Sequence, residues 1–392
     1  MSTLAAPAAP VQQPAWPDPG HVATVRDALA DRPPLVGWAE CADLLAALAD
    51  AHRGERLVLQ AGDCAERFAD ATDAALDARI AHLYALADAL RADTGRPCVT
   101  VGRLAGQYAK PRSSPTQTLG DGTVLPAYRG DLVNGCAPTA EARRPDPRRM
   151  LTGYDSSALA LARVRASRAG RPAAEALYAS HEALLVDYEQ PLVRAHATGR
   201  YASSGHLVWI GDRSRDCDGW HVRWAAALDN PVAVKIGPTT TPHDAVRLSR
   251  LLNPHGVPRK LAFVTRLGAR HVHRLLPDLV TEVTRRGAPV LWLCDPMHGN
   301  TVVLRGGAKT RPLQAIHDEV AGFVRALRYR RQPPAGLHLE VAPDDVTECV
   351  ATPEDTPAVP DRVALPRYTS ACDPRLSPAQ ARALLAHFAR LL

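Results

Sequence analysis

The stretch LWLCDPMHGNT, residues 291–301, places a thiol (Cys294), a carboxylate (Asp295) and an imidazole (His298) within five residues at the end of an apolar run. Pro296 stops that run from continuing as a strand. Thiolates, imidazoles and carboxylates bind divalent transition metals, and they also move protons. A polar turn would read the same way in isolation, so the rest of the chain decides whether this one walls a reaction centre. Residues of the same kind recur at Cys64 in AGDC, Glu340 in LHLEV and Asp373 in ACDP. With His298 they form a set of one thiolate, one imidazole and two carboxylates, which suits one divalent ion of Mn, Co, Fe or Zn better than Mg or Ca. Singly, each has a blander explanation; a lone Cys is usually a small buried hydrophobe.

A second set is cationic: Arg103, Lys110, Arg213, Lys235 and Arg266, with Lys309 and Arg311 further on. Guanidinium forks bind phosphate and carboxylate bidentately, and an ammonium serves as a point charge. Of the 47 basic residues only Lys110, Lys235, Lys260 and Lys309 are lysines, and three of these belong to the set. A solvated charge run explains the Arg residues at 143–149. It explains poorly a cation placed directly after an apolar strand, where an unpartnered charge is costly.

Eight short β-rich runs must position these groups: 56–61, 98–103, 176–180, 206–211, 232–237, 261–265, 289–294 and 337–341. Several are continuously apolar, as parallel strands covered by helices are. Helical segments intervene, such as 73–92 and 273–287, the latter ending on Gly287. This alternation predicts a (β/α)₈ barrel with an N-terminal helical extension. A doubly wound sheet is the structural alternative, but no G-x-G-x-x-G follows the first strand. Residues 112–175 read as an insertion after the second strand, containing a helix at 156–170. Ser377 and Gln380 form a capping box for the last helix, with Pro378 at its first position. The expected organisation is a flexible Ala/Pro-rich tail over 1–20 and a single catalytic barrel over 21–392. The candidate residues follow strands, and a barrel gathers the carboxyl ends of its strands around one mouth. That convergence turns the polar turn at 294–301 into a wall of a site.

Composition narrows the partners. At 392 residues, 46% hydrophobic and 22% charged, the chain is an ordinary globular protein. No apolar run reaches the length of a membrane span, and the N-terminus lacks the basic and apolar regions of a signal peptide. Eight scattered cysteines without a C-x-x-C pair fit reduced thiols and a cytoplasmic location. The formal charge of +6 is spread among acids, with no basic stripe interleaved with aromatics, which argues against nucleic acid and for small phosphorylated molecules.

The motifs LQAGDCAERF, RLAGQYAKPRS, YRGDLVNG, YASHEALLVDYE, WIGDRSR, NPVAVKIGPTTTP, CDPMHGNT, VTEC and ACDPRLS occur in this order from about residue 55 to the C-terminus. As a set they resemble the class II 3-deoxy-D-arabino-heptulosonate 7-phosphate (DAHP) synthases. The resemblance implies a (β/α)₈ barrel that condenses phosphoenolpyruvate with erythrose 4-phosphate at a divalent metal. It implies metal ligation by Cys64, His298, Glu340 and Asp373. It places phosphoenolpyruvate at Arg103, Arg213, Lys235 and Arg266, and the sugar phosphate near Lys110 and Ser113. Trp209 and Glu182 match pocket positions. Glu182 and Asp212 are the candidates for proton transfer, beside Lys235 and Arg213. A homo-oligomer, dimer or tetramer, is expected.

The chain departs from the family pattern at Asp212, where Glu is usual, at Cys136, where Phe is common, at Ala162, where Asn is frequent, and in the stretch NTVVLRGGAKTR, residues 300–311. It lacks the longer N-terminal extension and extra helices of feedback-regulated members, so it resembles compact forms that feed secondary metabolism. Among those are enzymes that use the 4-amino analogue of the aldose phosphate. The rival readings are another metal-dependent barrel aldolase and a non-catalytic paralogue that binds a downstream enzyme. Cys372 directly precedes a proposed ligand, which makes a Cys64–Cys372 disulfide an expectation for the oxidised, metal-free protein.

Overall fold

The computed structural model describes residues 8–119, 122–172, 175–304, 307–352 and 365–392. Residues 1–7 of the expected tail lie outside these. Eight parallel strands close into a barrel: β1 (Leu57–Gly62), β2 (Cys98–Arg103), β3 (Leu177–Glu182), β4 (Leu207–Ile210), β5 (Val232–Ile236), β6 (Leu261–Thr265), β7 (Leu291–Cys294) and β8 (Pro334–Glu340). Each strand pairs with its neighbours in sequence, and β8 closes on β1, with Gly62 opposite both Arg103 and Glu340. Burial on both faces explains why these strands read as continuous apolar runs rather than as alternations.

Among the described residues there are ten α-helices, several with local start and stop signals. They are α1 (Pro19–Ala30), α2 (Trp38–His52), α3 (Asp73–Thr94), α4 (Arg149–Ala166), α5 (Val186–Glu189), α6 (Trp220–Ala226), α7 (Pro242–Leu252), α8 (Val272–Arg286), α9 (Leu313–Tyr329) and α10 (Pro378–Leu391). Thr72 caps α3 by accepting from Ala75 N, and Gly95, at φ 66°, ends it. Thr241 with Asp244 opens α7, and Ser377 with Gln380 opens α10, each as a capping box followed by proline. The segment read as an insertion contains α4 and a hairpin, Thr116–Thr118 with Val124–Pro126. α4 starts seven residues earlier than the helix read from sequence at 156 and packs on α3 and α1.

The third unit breaks the expected strand–helix rhythm. β3 is followed by the single-turn α5 and an antiparallel hairpin, Val193–His196 with Gly199–Ala202. A 3-10 turn over Gln190–Leu192 leads out of α5, and the β-prone residues on either side of the Ala197–Thr198 turn then pair. α1 takes up the vacant flank, packing on α4 and α5 with Val25 and Leu29 buried.

Inside the barrel, polarity changes with height. Leu44, Leu48 and Ala51 of α2 close the amino end against Val58, Val99, Val101, Leu207, Ala233, Ala262, Leu291 and Ala335. One layer higher, Gln60 Nε2 donates to Ser180 Oγ (3.0 Å) and its Oε1 meets His338 Nδ1 (2.7 Å). Alternation then brings Arg103, Glu182, Lys235 and Glu340 to the carboxyl-end layer. The closed apolar floor leaves that mouth as the place for chemistry.

Candidate active site

His338 and Glu340 are two residues apart on β8 and share a face, and both are fully buried. Glu340 Oε1 lies 3.1 Å from His298 Nε2 in the turn after β7. Asp373, just before α10, completes a cluster: one donor atom from each of His298, Glu340 and Asp373 lies within 4.8 Å of the others. An imidazole and two carboxylates converging at this spacing fit a divalent transition ion.

Positive charge surrounds these carboxylates. Arg103 Nη2 donates to Glu340 Oε1 (2.8 Å), and Arg311 Nη1 donates to Oε2 (2.7 Å). Lys110 Nζ lies 3.4 Å from Asp373 Oδ2 and 3.7 Å from Glu340 Oε1, and Lys309 Nζ donates to Asp373 Oδ1 (2.8 Å). Burial opposes ionisation of Glu340, but His298, Arg311, Lys110 and Arg103 outweigh it and hold the carboxyl well below the usual range. Asp373 is shifted the same way, burial again being overcome, chiefly by Lys110. Both are therefore anionic, as ligands must be.

Cys64 sits at this cluster by its backbone more than by its thiol. Its carbonyl accepts from Arg103 Nη2 (3.2 Å) and Lys110 Nζ (2.9 Å). Its sulfur lies 2.9 Å from Ser370 Oγ and outside the converging triad. The neighbouring Cys372 shares a hydrogen bond with it; that bond first, then burial, pushes the Cys64 thiol well up. All eight cysteines are free, Cys64 and Cys372 among them.

The remaining cations divide into paired and open. Arg103 also donates Nε to Asp63 O (3.0 Å), bonds His338 Nε2 and lies 5.1 Å over the Trp209 ring, which is itself buried edge-on to His338. Lys235 is buried and paired with Asp295. Burial lowers it to about 8, with Asp295 raising it and Arg103 pressing it down. Arg266 bonds Asp212 Oδ2 (2.5 Å) and donates to His298 O (3.0 Å). Asp212 also accepts from Arg215 Nε (2.9 Å) and packs on Gly237, where a Cβ would lie 2.6 Å from its oxygens. Arg213 and Ser113 are exposed. Arg311 is fully buried, which makes it a partner of Glu340 and removes it from direct reach of solvent.

Glu182 ends β3 against Gly211, where a Cβ would stand 2.0 Å from Glu182 Oε1. That oxygen is enclosed and has no hydrogen-bond partner among the described residues. Burial raises its pKa, opposed by Lys110, Lys235, Arg103 and His298. A carboxyl poised in this way among cations is suited to proton transfer.

Residue types alone missed several supports. Asp295, fully buried, accepts from His298 Nδ1 (2.7 Å) and from the backbone N–H of Met297 (3.0 Å), while also pairing Lys235. Its position three residues before His298 was the available signal. Three further buried glutamates hold rim loops by their amides. Glu66 accepts from Ala105, Gly106 and Gln107, at 3.1, 3.0 and 2.8 Å, and so holds Ala105 at φ 63°. Glu319 accepts from Leu267 and Gly268, both at 2.8 Å, and from Asn300 Nδ2 at 2.7 Å. Glu348 accepts from Ser370 and Arg375 N, at 2.8 and 2.7 Å.

Known proteins resemble this chain in sequence, and one solved structure resembles it in fold. The model of the class-II DAHP synthetase family matches residues 5–176 and 168–389. A phospho-2-dehydro-3-deoxyheptonate aldolase of Mycolicibacterium smegmatis is 38% identical, over 100% of this chain and 94% of that protein. One from Streptomyces coelicolor is 39% identical, over 94% of this chain and 92% of its own. The solved structure of phospho-2-dehydro-3-deoxyheptonate aldolase from Francisella tularensis superposes with a TM-score of 0.53 at 13% identity, covering 93% of this chain and 95% of that one, a likeness of fold.

Proposed function

This chain belongs to the class-II DAHP synthetase family, and on that premise we propose how its barrel mouth performs the reaction. The enzyme condenses phosphoenolpyruvate with erythrose 4-phosphate, giving 3-deoxy-D-arabino-heptulosonate 7-phosphate and phosphate, in the shikimate pathway. The observation that carries the assignment of residues is the convergence of His298, Glu340 and Asp373 inside a ring of cations.

His298, Glu340 and Asp373 would hold one divalent ion of Mn, Co, Fe or Zn, with Cys64 as the fourth ligand once its thiol leaves Ser370. When bound, such an ion supplies Lewis-acid polarisation of the aldehyde oxygen. Arg213, exposed at the rim, and Arg266 receive the phosphate of phosphoenolpyruvate, while Lys235 and Arg103, deeper in the mouth, take its carboxylate. Lys110 and Ser113 receive the phosphate of the aldose. Held this way, C3 of phosphoenolpyruvate forms the new bond to the aldehyde carbon, water adds at C2, and phosphate departs with its bridging oxygen. Positioning two anions this closely is what converts a bimolecular encounter into an oriented one. Glu182, Asp212 and Lys235 are the groups that move protons. Lys235 supports that role by having a pKa of about 8, close to operating pH.

The reading extends to a homo-oligomer in the cytoplasm, acting without nucleic acid or membrane; no helix among the described residues is long and apolar enough to cross a membrane. It extends also to the compact, secondary-metabolism form of the enzyme, on the sequence resemblance. Product analysis tests it: one phosphate released and one seven-carbon product formed per phosphoenolpyruvate consumed. Phosphate release in the absence of an aldose phosphate would overturn it.

A further inference from the structure

Residues 8–17 run as a strap along the carboxyl-end rim of the barrel. Ala8 pairs with Gly219 beyond β4, its N–H donating to Asp218 O (3.2 Å). Gln13 ties the strap to the segment after β3: Nε2 donates to Leu184 O (2.9 Å), and Oε1 accepts from Val186 N (3.0 Å). Trp16 Nε1 donates to Asp187 Oδ2 (2.8 Å). Gln12 reaches the segment after β2, its Oε1 accepting from Arg112 N (2.9 Å) and its carbonyl from Arg129 Nη2 (3.0 Å). Its backbone is left-handed, at φ 62°, which a residue with a Cβ seldom adopts. That conformation is kept where both acceptors are in use.

The charge beside Gln12 is uncompensated. Burial lowers the pKa of Arg129 and of Arg143, and the nearby Arg112 presses both further down. Among the described residues no carboxylate pairs with any of these three. Arg129 bonds Gln12 O; Arg143 bonds the carbonyls of Ala137 and Cys136 and the amide oxygen of Gln117. By contrast Arg103, Lys110, Lys235, Arg266, Lys309 and Arg311 each face a carboxylate. The open cluster adjoins Lys110, whose N–H donates to Arg129 O (2.8 Å). A concentration of guanidinium without counter-charge next to a phosphate-binding lysine is suited to a phosphate dianion.

We propose that Gln12 is a positioning residue that holds Arg112 and Arg129 together, and that Arg129 recognises the phosphate of the aldose substrate. The identity of that substrate rests on the function proposed above; the anion chemistry does not. Two substitutions in the full chain separate support from charge. Gln12→Gly keeps the left-handed backbone and the carbonyl while losing the side-chain acceptor. Gln12→Glu keeps the acceptor and adds a negative charge beside the arginines.

Calorimetry with inorganic phosphate and with erythrose 4-phosphate reads affinity directly, beside steady-state KM values for both substrates. Gln12→Gly is expected to weaken aldose phosphate and inorganic phosphate by about three- to tenfold. Gln12→Glu weakens them at least as much, and Arg129→Ala by about tenfold or more. KM for phosphoenolpyruvate stays within about twofold in all three, as does the secondary structure by circular dichroism. Wild-type anion affinity in Gln12→Glu, or in Arg129→Ala, overturns the proposal. If the wild-type enzyme fails to condense the two substrates, the functional reading falls; phosphate calorimetry on the same variants still decides the strap.

Discussion

Asp295→Asn removes one charge without touching a substrate, and the structure sets its consequences. Asp295 accepts from His298 Nδ1 (2.7 Å), from the N–H groups of Met297 (3.0 Å) and His298 (3.2 Å), and from Lys235 Nζ. A carboxylate can only accept, so the proton of a neutral His298 sits on Nδ1 and the Nε2 lone pair faces Glu340 and Asp373. The replacement amide keeps its oxygen on the two backbone donors and turns its NH₂ toward His298 Nδ1 and Lys235 Nζ. His298 must then carry its proton on Nε2, where a metal needs the lone pair. Changes in such supporting hydrogen bonds lower metal affinity about 10- to 100-fold, ~1.4–2.7 kcal/mol. Lys235, which burial lowers to about 8 while Asp295 raises it, loses that support and gives up its proton more readily. That release limits the damage to the fold, because a neutral amine escapes the ~3–5 kcal/mol cost of a stranded buried charge. At saturating metal, loss of the ammonium and of the correct imidazole tautomer together is expected to lower kcat/KM by roughly a thousandfold, ~4 kcal/mol. Chelator competition for Mn²⁺, thermal unfolding and steady-state kinetics measure the three effects. A variant that binds metal within about threefold of wild type and turns over normally would refute the role given to Asp295.

His298→Ala is expected to abolish turnover and metal retention while leaving the thermal midpoint nearly unchanged, since His298 is 21% exposed. Glu340→Ala should abolish turnover and also lose about 3–5 kcal/mol of stability by stranding Arg103 and Arg311, both buried; equal midpoints for the two variants would show that those arginines find other partners. Arg266→Ala and Lys235→Ala raise the KM for phosphoenolpyruvate more than that for the aldose phosphate, and an equal rise in both contradicts the division of cations. Metal-free enzyme treated with diamide is expected to join Cys64 to Cys372, the two thiols giving two electrons and two protons to the oxidant, and to recover activity with dithiothreitol and metal. Peptide mass spectrometry that finds both thiols alkylatable after oxidation would exclude the bridge.

What was legible in the sequence was the placement of chemistry at strand ends. Eight apolar runs, each followed by polar residues, implied one mouth, and alternation along LHLEV put His338 and Glu340 on one face. Pairing was harder to read. Asp295 gains its role from Lys235, which lies on β5, sixty residues earlier in the chain. Glu319 serves loops 51 and 52 residues before it. Residue type also hides which atom of a residue acts, and Cys64 offers its carbonyl to Arg103 and Lys110 while its thiol faces Ser370. Arg311 reads as a substrate cation, yet it is enclosed against Glu340. The hairpin in the third unit is hard to read because Ala197–Thr198 is a weak turn signal inside a segment with mixed propensity. The strap is equally hidden, because Gln12 and Gln13 bond partners a hundred or more residues away, the Gln13–Val11 bond aside.

The central claim is that metal bound at His298, Glu340 and Asp373 and the cations around it join two phosphorylated substrates. Its most direct test follows phosphoenolpyruvate by its ultraviolet absorbance in chelated enzyme, with erythrose 4-phosphate present or omitted, before and after Mn²⁺ is restored. The account predicts consumption only when both the aldose phosphate and the metal are present, with His298→Ala silent throughout. Consumption that persists in chelated enzyme, or that proceeds without the aldose phosphate, would contradict it.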